Sequence, residues 1–206
     1  MPELEQADPI TQFANWLQAA EQHEPNDPNA MALASVGSDG MPSLRMVLLK
    51  AFDQAGFVFY TNLESRKGGE LLARPQAALL FHWKSLRRQV RIEGAIATVT
   101  DDEADAYFQS RDRMSKIGAW ASKQSRPLDS RAQLEQEVSR YEAKFDGAEI
   151  PRPPYWHGLK LVPHAFEFWQ DGAHRIHDRW RFEPTKKAAN NDMTHAQSWA
   201  SQRLFP

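Results

Sequence analysis

The stretch AMALASVGSDGMPSLRMVLLKAFDQAGFVFYT (30–61) decides the fold class, because it contains three β-rich runs in close succession. The runs cover 30–37, 42–52 and 56–61, and the turn signals Asp39-Gly40 and Asp53 to Gly56 separate them. Runs that follow one another with short turns usually become neighbouring antiparallel strands. This part of the chain therefore predicts an antiparallel sheet.

Further strands and helices extend this pattern in both directions. The other predicted strands are AALLFHW (77–83), RRQVRIEGAIATV (87–99) and a final hairpin of 155–170 with 174–182 around Asp171-Gly172. The predicted helices begin at Asp8-Pro9, at Ser65 and at Thr100 or Asp101, and a further one covers 130–145. The mixture predicts one α+β domain over residues 1–206, a barrel-like antiparallel sheet with flanking helices, and a polar surface excursion at residues 183–198.

The composition argues against several classes of protein. The chain has 206 residues, a formal net charge of −2 and no cysteine, which excludes disulfides and thiolate metal sites. The basic tract KSLRRQVR (84–91) has no recognition motif beside it, and the net charge gives no reason to expect nucleic acid or an anionic membrane. The N-terminus lacks the features of a signal peptide, and no apolar run approaches the roughly 20 residues that cross a bilayer. We expect a cytoplasmic globular protein.

Two groups of residues have the chemistry to bind phosphate. Tyr107, Arg111 and Ser115 are four residues apart, so they share one face if the helix persists, and together they suit a phosphate dianion. The alternative is a polar face in contact with solvent. Ser65-Arg66-Lys67 stands at a predicted helix start, where free backbone amides and the helix dipole attract anions. The alternative there is a pair of exposed, solubilising charges.

A third group, Arg175, His177 and Arg179, occupies alternate positions that share one face on a strand. Three cationic side chains placed side by side repel one another unless an anionic or electron-rich ligand lies against them. The alternative is an exposed edge strand. His174 and His177 would face opposite ways on that strand and lack further ligands with suitable spacing, so no metal site is expected.

Short motifs follow one another along the chain: RMVLLK (45–50), FYTN (59–62), SRK (65–67), RRQVRIEG (87–94), YFQSR (107–111), IGAWASKQS (117–125), EFWQ (167–170), HRIHDR (174–179) and RLFP (203–206). In wording and order they resemble the pyridoxamine 5′-phosphate oxidase family. The similarity runs from about Asp8 to Arg179 and resumes at the last residues. The ordered set is far more specific than any one motif.

The resemblance implies an FMN-binding split β-barrel flanked by helices, working as a homodimer with FMN in clefts between the subunits. It implies that FMN is held by Arg45, Met46, Val47, Leu48, Leu49, Lys50, Tyr60, Thr61, Arg66, Lys67, Gln89, Gln124, Ser125, Trp169 and Arg179. The implied substrate-binding residues are Lys50, Tyr107, Arg111, Ser115, Arg175 and His177, the last two also being catalytic. On an unbroken strand Arg45 and Lys50 would point to opposite faces, which requires a bulge, backbone contacts or a site shared between subunits.

The same resemblance implies oxidation of pyridoxamine 5′-phosphate and pyridoxine 5′-phosphate to pyridoxal 5′-phosphate. Hydride would pass from substrate C4′ to flavin N5, and dioxygen would reoxidise the flavin and yield hydrogen peroxide, with ammonia released from the amine. We expect Arg175 and His177 to position and polarise the substrate. Two alternatives stay open: another split-barrel flavin oxidoreductase with a non-B6 substrate, and a non-catalytic protein that binds FMN or pyridoxal phosphate. Many family members cover the substrate with a basic, tyrosine-containing arm, which the seven residues before Asp8 do not resemble.

Overall fold

The computed structural model of the chain describes residues 8–185 and 198–206. The strands in these ranges are β1 (Ala30–Val36), β2 (Pro42–Leu48), β3 (Ala51–Asp53), β4 (Gly56–Asn62), β5 (Gln76–Trp83), β6 (Arg88–Thr98), β7 (Trp156–Gln170), β8 (Asp178–Pro184) and β9 (Trp199–Leu204). The helices are α1 (Pro9–His23), α2 (Arg66–Ala73), α3 (Asp101–Ser110), α4 (Arg113–Ala121) and α5 (Arg131–Lys144). All strand pairs are antiparallel, in the order β2-β1-β5-β6-β7-β4-β3, with β8 on β7 and β9 on β8. The α+β prediction is confirmed.

Helix α1 packs on the main hydrophobic core of the sheet. It begins at the predicted place, because the Asp8 side chain accepts a hydrogen bond from the backbone N–H of Thr11 at 2.9 Å. The fully buried ring of Phe13 contacts three others edge-on at centroid distances of 4.9 to 5.0 Å, namely Phe52, Phe57 and Phe81. Truncating a buried phenylalanine costs about 3–5 kcal/mol, so this contact contributes much to the packing of α1.

Strand β7 is the spine of the sheet, because it changes partner along one of its edges. Its first part pairs with β4 as far as Leu161, and its last part pairs with β8 from Phe166 onward. Strand β6 follows the other edge, with a register shift between Glu93 and Gly94. A Cβ atom at Gly94 would lie well under 3.0 Å from the carbonyl oxygen of Val162, so the two backbones approach too closely for any other residue.

The helices α3 to α5 form a second, smaller core at the start of β7. Its buried members are Phe108, Ile117, Phe145, Ile150 and Trp156. Thr100, one of the two helix starts that the sequence allows, caps α3 with a complete capping box. This core brings the junction between α3 and α4 beside the first residue of β7. In the two described ranges, no helix is long and apolar enough to cross a membrane.

Two predicted elements are wrong in their extent. The run 42–52 is not one strand, because β2 ends at Leu48 and β3 begins at Ala51. The helix expected to carry Tyr107, Arg111 and Ser115 on one face is broken: α3 ends at Ser110, and the Asp112 side chain caps α4. Asp112 accepts a hydrogen bond from the backbone N–H of Ser115 at 2.8 Å, which favours a new helix start over continuation.

The predicted polar excursion at 183–198 is shorter than expected at both ends. Glu183 and Pro184 belong to β8, and Thr185 donates a backbone hydrogen bond to the carbonyl oxygen of Ser198 at 2.8 Å. Strands β8 and β9 therefore meet as an antiparallel pair. Residues 186–197 of the predicted excursion lie outside the described residues.

Candidate active site

One cavity of about 480 Å³ opens between the end of β2, the strand β4, the start of α2 and the junction of α3 with α4. Its walls combine cations, hydroxyls, an amide and aromatic rings. The lining residues are Met46, Val47, Leu48, Lys50, Tyr60, Thr61, Asn62, Lys67, Tyr107, Arg111, Ser115, Gly118, Ala119, Ser122, Gln124 and Trp156.

The first turn of α2 supplies a cation to this cavity. The Ser65 side chain caps the helix, as predicted, and accepts a hydrogen bond from the backbone N–H of Gly68 at 3.3 Å. Lys67 Nζ donates to Gln124 Oε1 at 2.7 Å, which ties the helix to the segment after α4. Burial, and then the nearby charge of Arg45, lower the pKa of Lys67. A partly buried ammonium at a helix N-terminus is well placed to receive an anion.

Two of the predicted FMN-binding arginines do not line the cavity, because a buried carboxylate binds them. Glu70 is 9% exposed and accepts hydrogen bonds from Ser35 at 2.6 Å and Ser43 at 2.5 Å. It also pairs with Arg45 at 3.1 Å and Arg66 at 2.8 Å. Burial alone would raise the pKa of Glu70, but these hydrogen bonds and the Arg45 charge lower it to about 2. Arg45 therefore joins β2 to α2 through Glu70, and Arg66, four residues before Glu70 on α2, holds that carboxylate from the same helix.

The break after α3 turns Arg111 toward the cavity. Its guanidinium lies 5.0 Å from the centre of the Trp156 ring, and its Nη1 is buried without a hydrogen-bond partner among the described residues. Burial lowers the pKa of Arg111, while Tyr107 and Asp112 oppose that change. Tyr107, Arg111 and Ser115, which the sequence groups together, all line this cavity. The single helix face that was expected to group them is wrong.

Stacked aromatic rings form another wall. Tyr60 lies nearly parallel to Tyr107 at 4.0 Å and to Trp156 at 5.0 Å, with interplanar angles of 14° and 10°. Burial, followed by the charge of Glu103, raises the pKa of Tyr60, so its hydroxyl stays protonated at neutral pH. Beside it, Thr61 Oγ1 is buried and has no hydrogen-bond partner among the described residues.

A second group of predicted residues lies elsewhere, where β6, β7 and β8 run side by side. Gln89 pairs with Trp169, and Trp169 pairs with Arg179 in the next strand. Arg179 donates to Glu167 Oε1 from Nε at 3.0 Å and from Nη2 at 2.8 Å. The ring of His177 lies 4.7 Å from that of Trp169. None of the predicted members of this group lines the cavity described above.

Arg175 and His177 are not on a strand, so the argument that alternate positions share a face is wrong for them. Residues Ala173–Arg175 form a 3₁₀ turn, in which His174 has φ 56° and Arg175 has φ 66°. A Cβ atom at Gly172 would collide with the carbonyl oxygen of Ile176, so the chain folds back tightly there. The β8 strand begins only at Asp178.

The predicted site residues thus divide into those in the cavity wall and those outside it. The wall contains Met46, Val47, Leu48, Lys50, Tyr60, Thr61, Lys67, Tyr107, Arg111, Ser115 and Gln124. Outside it are Arg45, Leu49, Arg66, Gln89, Ser125, Trp169, Arg175, His177 and Arg179. Arg45 and Lys50 do not share the cavity: Arg45 is on β2 and pairs with Glu70, whereas Lys50 follows the end of β2 and lines the cavity.

Several wall residues are not among those predicted from the sequence: Asn62, Gly118, Ala119, Ser122 and Trp156. All but Trp156 lie inside the quoted motifs FYTN and IGAWASKQS, so the motif boundaries could have indicated them. Within the described ranges, no group of three or more histidine, aspartate or glutamate side chains is placed to hold a metal ion.

The fold and the cavity define a class of protein: an antiparallel, helix-flanked β-barrel protein whose cationic, aromatic cavity suits phosphorylated, planar ligands. Two of the buried side-chain atoms that have no hydrogen-bond partner among the described residues, Thr61 Oγ1 and Arg111 Nη1, belong to residues of the cavity wall and fit such ligands. Residues 17–145 match the family profile described as pyridoxamine 5′-phosphate oxidase, and residues 156–206 match the pyridoxine 5′-phosphate oxidase C-terminal dimerisation region. The chain belongs to the pyridoxamine 5′-phosphate oxidase family.

Individual relatives agree with this assignment. The chain is 54% identical to the pyridoxine/pyridoxamine 5′-phosphate oxidase of Rhodospirillum rubrum, with 100% of both chains covered, and 55% identical to that of Brucella anthropi, with 98% and 96% covered. Among solved structures, PhzG from Burkholderia lata, in complex with tetrahydrophenazine-1-carboxylic acid, matches with a TM-score of 0.88 and 31% identity, with 100% of this chain and 97% of that one covered. An FMN-binding protein of Nostoc punctiforme, 18% identical with a TM-score of 0.73 and covering 99% and 100% of the chains, shares the fold. The fold is the predicted split β-barrel.

Proposed function

We propose that this chain oxidises pyridoxamine 5′-phosphate and pyridoxine 5′-phosphate to pyridoxal 5′-phosphate, with FMN as cofactor and dioxygen as electron acceptor. Hydrogen peroxide is the second product, and the amine also releases ammonia. The observation that supports this most, beside family membership, is the cavity wall with its unpaired Thr61 Oγ1 and Arg111 Nη1. A buried donor without a partner costs about 1–3 kcal/mol, so a ligand that pairs with it gains that much on binding.

The α2 end of the cavity suits the phosphate of FMN. Lys67 and the free backbone amides of the first turn of α2 bind it, and Gln124 holds the Lys67 ammonium in place at 2.7 Å. Thr61 supplies a hydroxyl close by. Bound there, FMN would supply the redox chemistry, namely acceptance of hydride from substrate C4′ and reoxidation by dioxygen. Arg45 acts indirectly in this proposal, by joining β2 to α2 through Glu70, which Arg66 orients from within α2.

The other end of the cavity suits the phosphate of the substrate. Tyr107, Arg111 and Ser115 offer a phenol, a guanidinium and a hydroxyl, and Lys50 adds a second cation. This anchor is remote from the reacting carbon, so its binding energy is available to orient the substrate ring. The stacked ring of Trp156 supports the Arg111 guanidinium from one side.

The second group of residues completes the site from the partner subunit. Trp156 stands at the cavity and Trp169 comes thirteen residues later on β7, which is about 43 Å along an extended strand. One chain therefore does not bring both ends of β7 to one small ligand. In a dimer, Gln89, Trp169, Arg175, His177 and Arg179 of one subunit would face the cavity of the other. The match of residues 156–206 to a dimerisation region supports a homodimer.

Strand β2 offers a surface for such a dimer. Its apolar side chains Leu44 and Met46 are 69% and 64% exposed, and Met46 lines the cavity. Contiguous apolar side chains at this exposure usually mark an interface. FMN at the boundary between the subunits is consistent with this placement.

The activity is tested by measuring peroxide with each B6 phosphate and with the purified, FMN-loaded chain. Peroxide and pyridoxal 5′-phosphate in equal amounts support the proposal. The complex of PhzG with a phenazine acid favours one rival, a flavin enzyme with a non-B6 substrate, and a yellow protein inert toward both B6 phosphates would support that rival or a non-catalytic carrier.

A mixing experiment tests whether the site is shared between subunits. Arg111→Met impairs the cavity and His177→Ala impairs the turn, so each homodimer has only impaired sites. A mixed dimer has one doubly impaired site and one intact site, provided that the two residues come from different chains. Co-expression should therefore restore activity to about a quarter of wild type when subunits pair at random. Activity no higher than the mean of the two variants would refute the shared site.

A further inference from the structure

Strand β7 contains a buried carboxylate, that of Glu167, which the proposed function does not use. Glu167 is 5% exposed, and arginines from the two neighbouring strands share its two oxygens. Arg179 of β8 donates to Oε1 from Nε at 3.0 Å and from Nη2 at 2.8 Å, and Arg91 of β6 donates to Oε2 from Nη2 at 2.7 Å. A buried charge is stable only when it is paired, and here both oxygens are paired. The Glu167 carboxylate is therefore held from both sides.

The guanidinium of Arg179 is held at a second point by the end of the chain. Its Nη1 donates to the carbonyl oxygen of Phe205 at 2.9 Å. A guanidinium has five N–H groups, so the three hydrogen bonds to Glu167 and Phe205 leave two N–H groups without an acceptor in the described parts of the chain. The Arg179 side chain is 28% exposed, which leaves it accessible to a ligand.

We propose that Glu167 is a positioning residue, which holds the Arg179 guanidinium in the orientation that presents its two remaining N–H groups to FMN. This inference rests on the proposed function, in which Arg179 of one subunit contributes to the FMN site of the other. A flexible arginine loses side-chain entropy when it binds a ligand, and a guanidinium that is already fixed loses less. Glu167 thus strengthens FMN binding through Arg179, although its negative charge alone would weaken the binding of an anion.

One substitution separates orientation from charge by the direction of its effect. Glu167→Gln keeps the shape and one acceptor oxygen but removes the negative charge. Charge alone would make FMN bind more tightly, whereas a looser Arg179 should raise the Kd of FMN about 10-fold, because hydrogen bonds to an ionised acceptor are roughly twice as strong as neutral ones. The Kd is measured by diluting the FMN-loaded, full-length protein and following the fluorescence of released FMN. The matched control is Glu93→Gln, which removes a carboxylate that pairs with Arg91 and Arg181 instead of Arg179 and should leave the Kd unchanged.

A double variant tests whether Glu167 acts through Arg179. In an Arg179→Met background, Glu167→Gln should raise the Kd of FMN no further, because the guanidinium that Glu167 orients is gone. A merely structural role of Glu167 would instead give additive increases in the Kd, and that result would overturn the inference. A Kd in Glu167→Gln at or below the wild-type value would overturn it too, as would a Glu167→Gln protein that fails to fold.

Failure of the proposed function would appear separately, in the wild-type protein. Wild type that binds FMN but yields no peroxide from either B6 phosphate would refute the oxidase, while the comparison of Kd values, which requires no turnover, would still decide the role of Glu167. Wild type that binds no FMN would overturn both proposals.

Discussion

Replacing Arg111 by methionine should separate stability from function. The Arg111 side chain is partly buried, its Nη1 has no hydrogen-bond partner among the described residues, and its guanidinium lies against Trp156. The unpaired donor costs about 1–3 kcal/mol, and the contact with the ring returns about 0.5–2 kcal/mol. Since methionine fills similar space without a charge, the ligand-free variant should be as stable as wild type or more stable, within about 1–2 kcal/mol.

Binding of the substrate phosphate should change in the opposite direction. A hydrogen bond to a charged group contributes about 1.5–3 kcal/mol, which corresponds to roughly a 10- to 150-fold rise in KM for pyridoxamine 5′-phosphate. The assays are denaturant unfolding of ligand-free protein and peroxide production at varied substrate concentration. The control is Arg140→Met. Arg140 also lies over an aromatic ring, that of Tyr141, but it is on α5, and no residue of α5 lines the cavity.

Two results would refute this reasoning. If ligand-free Arg111→Met lost more than about 2 kcal/mol of unfolding free energy, the arginine would be structural. If KM stayed at the wild-type value, the guanidinium would not bind the phosphate. Arg140→Met should change neither quantity, because its ion pair with Glu137 is on the surface of α5.

Three further predictions concern the turn, the buried carboxylate and the sheet. Arg175→Ala and His177→Ala should each lose turnover while the purified protein keeps its yellow FMN, because neither residue lines the cavity described above. Colourless protein from either variant would contradict this separation of turnover from FMN binding. The pKa of Glu70 is about 2 in the folded protein against an ordinary 4.5, so the stability that its ionised form contributes is present above pH 4.5 and is lost as the pH falls toward 2. Urea unfolding should therefore show wild type losing about 3 kcal/mol more than Glu70→Gln over that window, and a gap between the two proteins that does not narrow on acidification would be evidence against it. Gly94→Ala should lower the unfolding free energy by about 1–3 kcal/mol through collision with β7, whereas Gly69→Ala, whose Cβ meets nothing within 4 Å, should be neutral or stabilising; equal effects would argue against the close approach.

The sequence predicted the helices and strands well, because the signal for each one is complete within a few neighbouring residues. The cap at Asp8, the cap at Ser65 and the capping box at Thr100 all appear where side-chain chemistry requires them. The predicted strands of the first sheet region are also present. Only the lengths of the strands differ from the prediction. The run 42–52 is rich in apolar residues on both sides of Lys50, so its composition does not reveal the break between β2 and β3.

The site was less predictable because its geometry depends on contacts that are distant in sequence. Tyr107, Arg111 and Ser115 line one cavity although the helix breaks between α3 and α4. The four-residue spacing of these residues does not predict that break. Arg45 is easily identified in the sequence as a cation, but its partner Glu70 is 25 residues away. The contact with Glu70 holds the Arg45 side chain outside the cavity wall. Trp156 enters the wall only because α3, α4 and β7 pack together.

Because β7 serves two sets of partners, its length is a constraint on how relatives of this chain can diverge. Side chains alternate between the two faces of a strand, so inserting one residue between Leu161 and Phe166 would turn every later side chain of β7 over. The Trp169 side chain would then lie on the opposite face of the sheet, and the pairing of β7 with β8 would shift as well. Insertions and deletions should accumulate at the β1–β2 turn and be absent from β7.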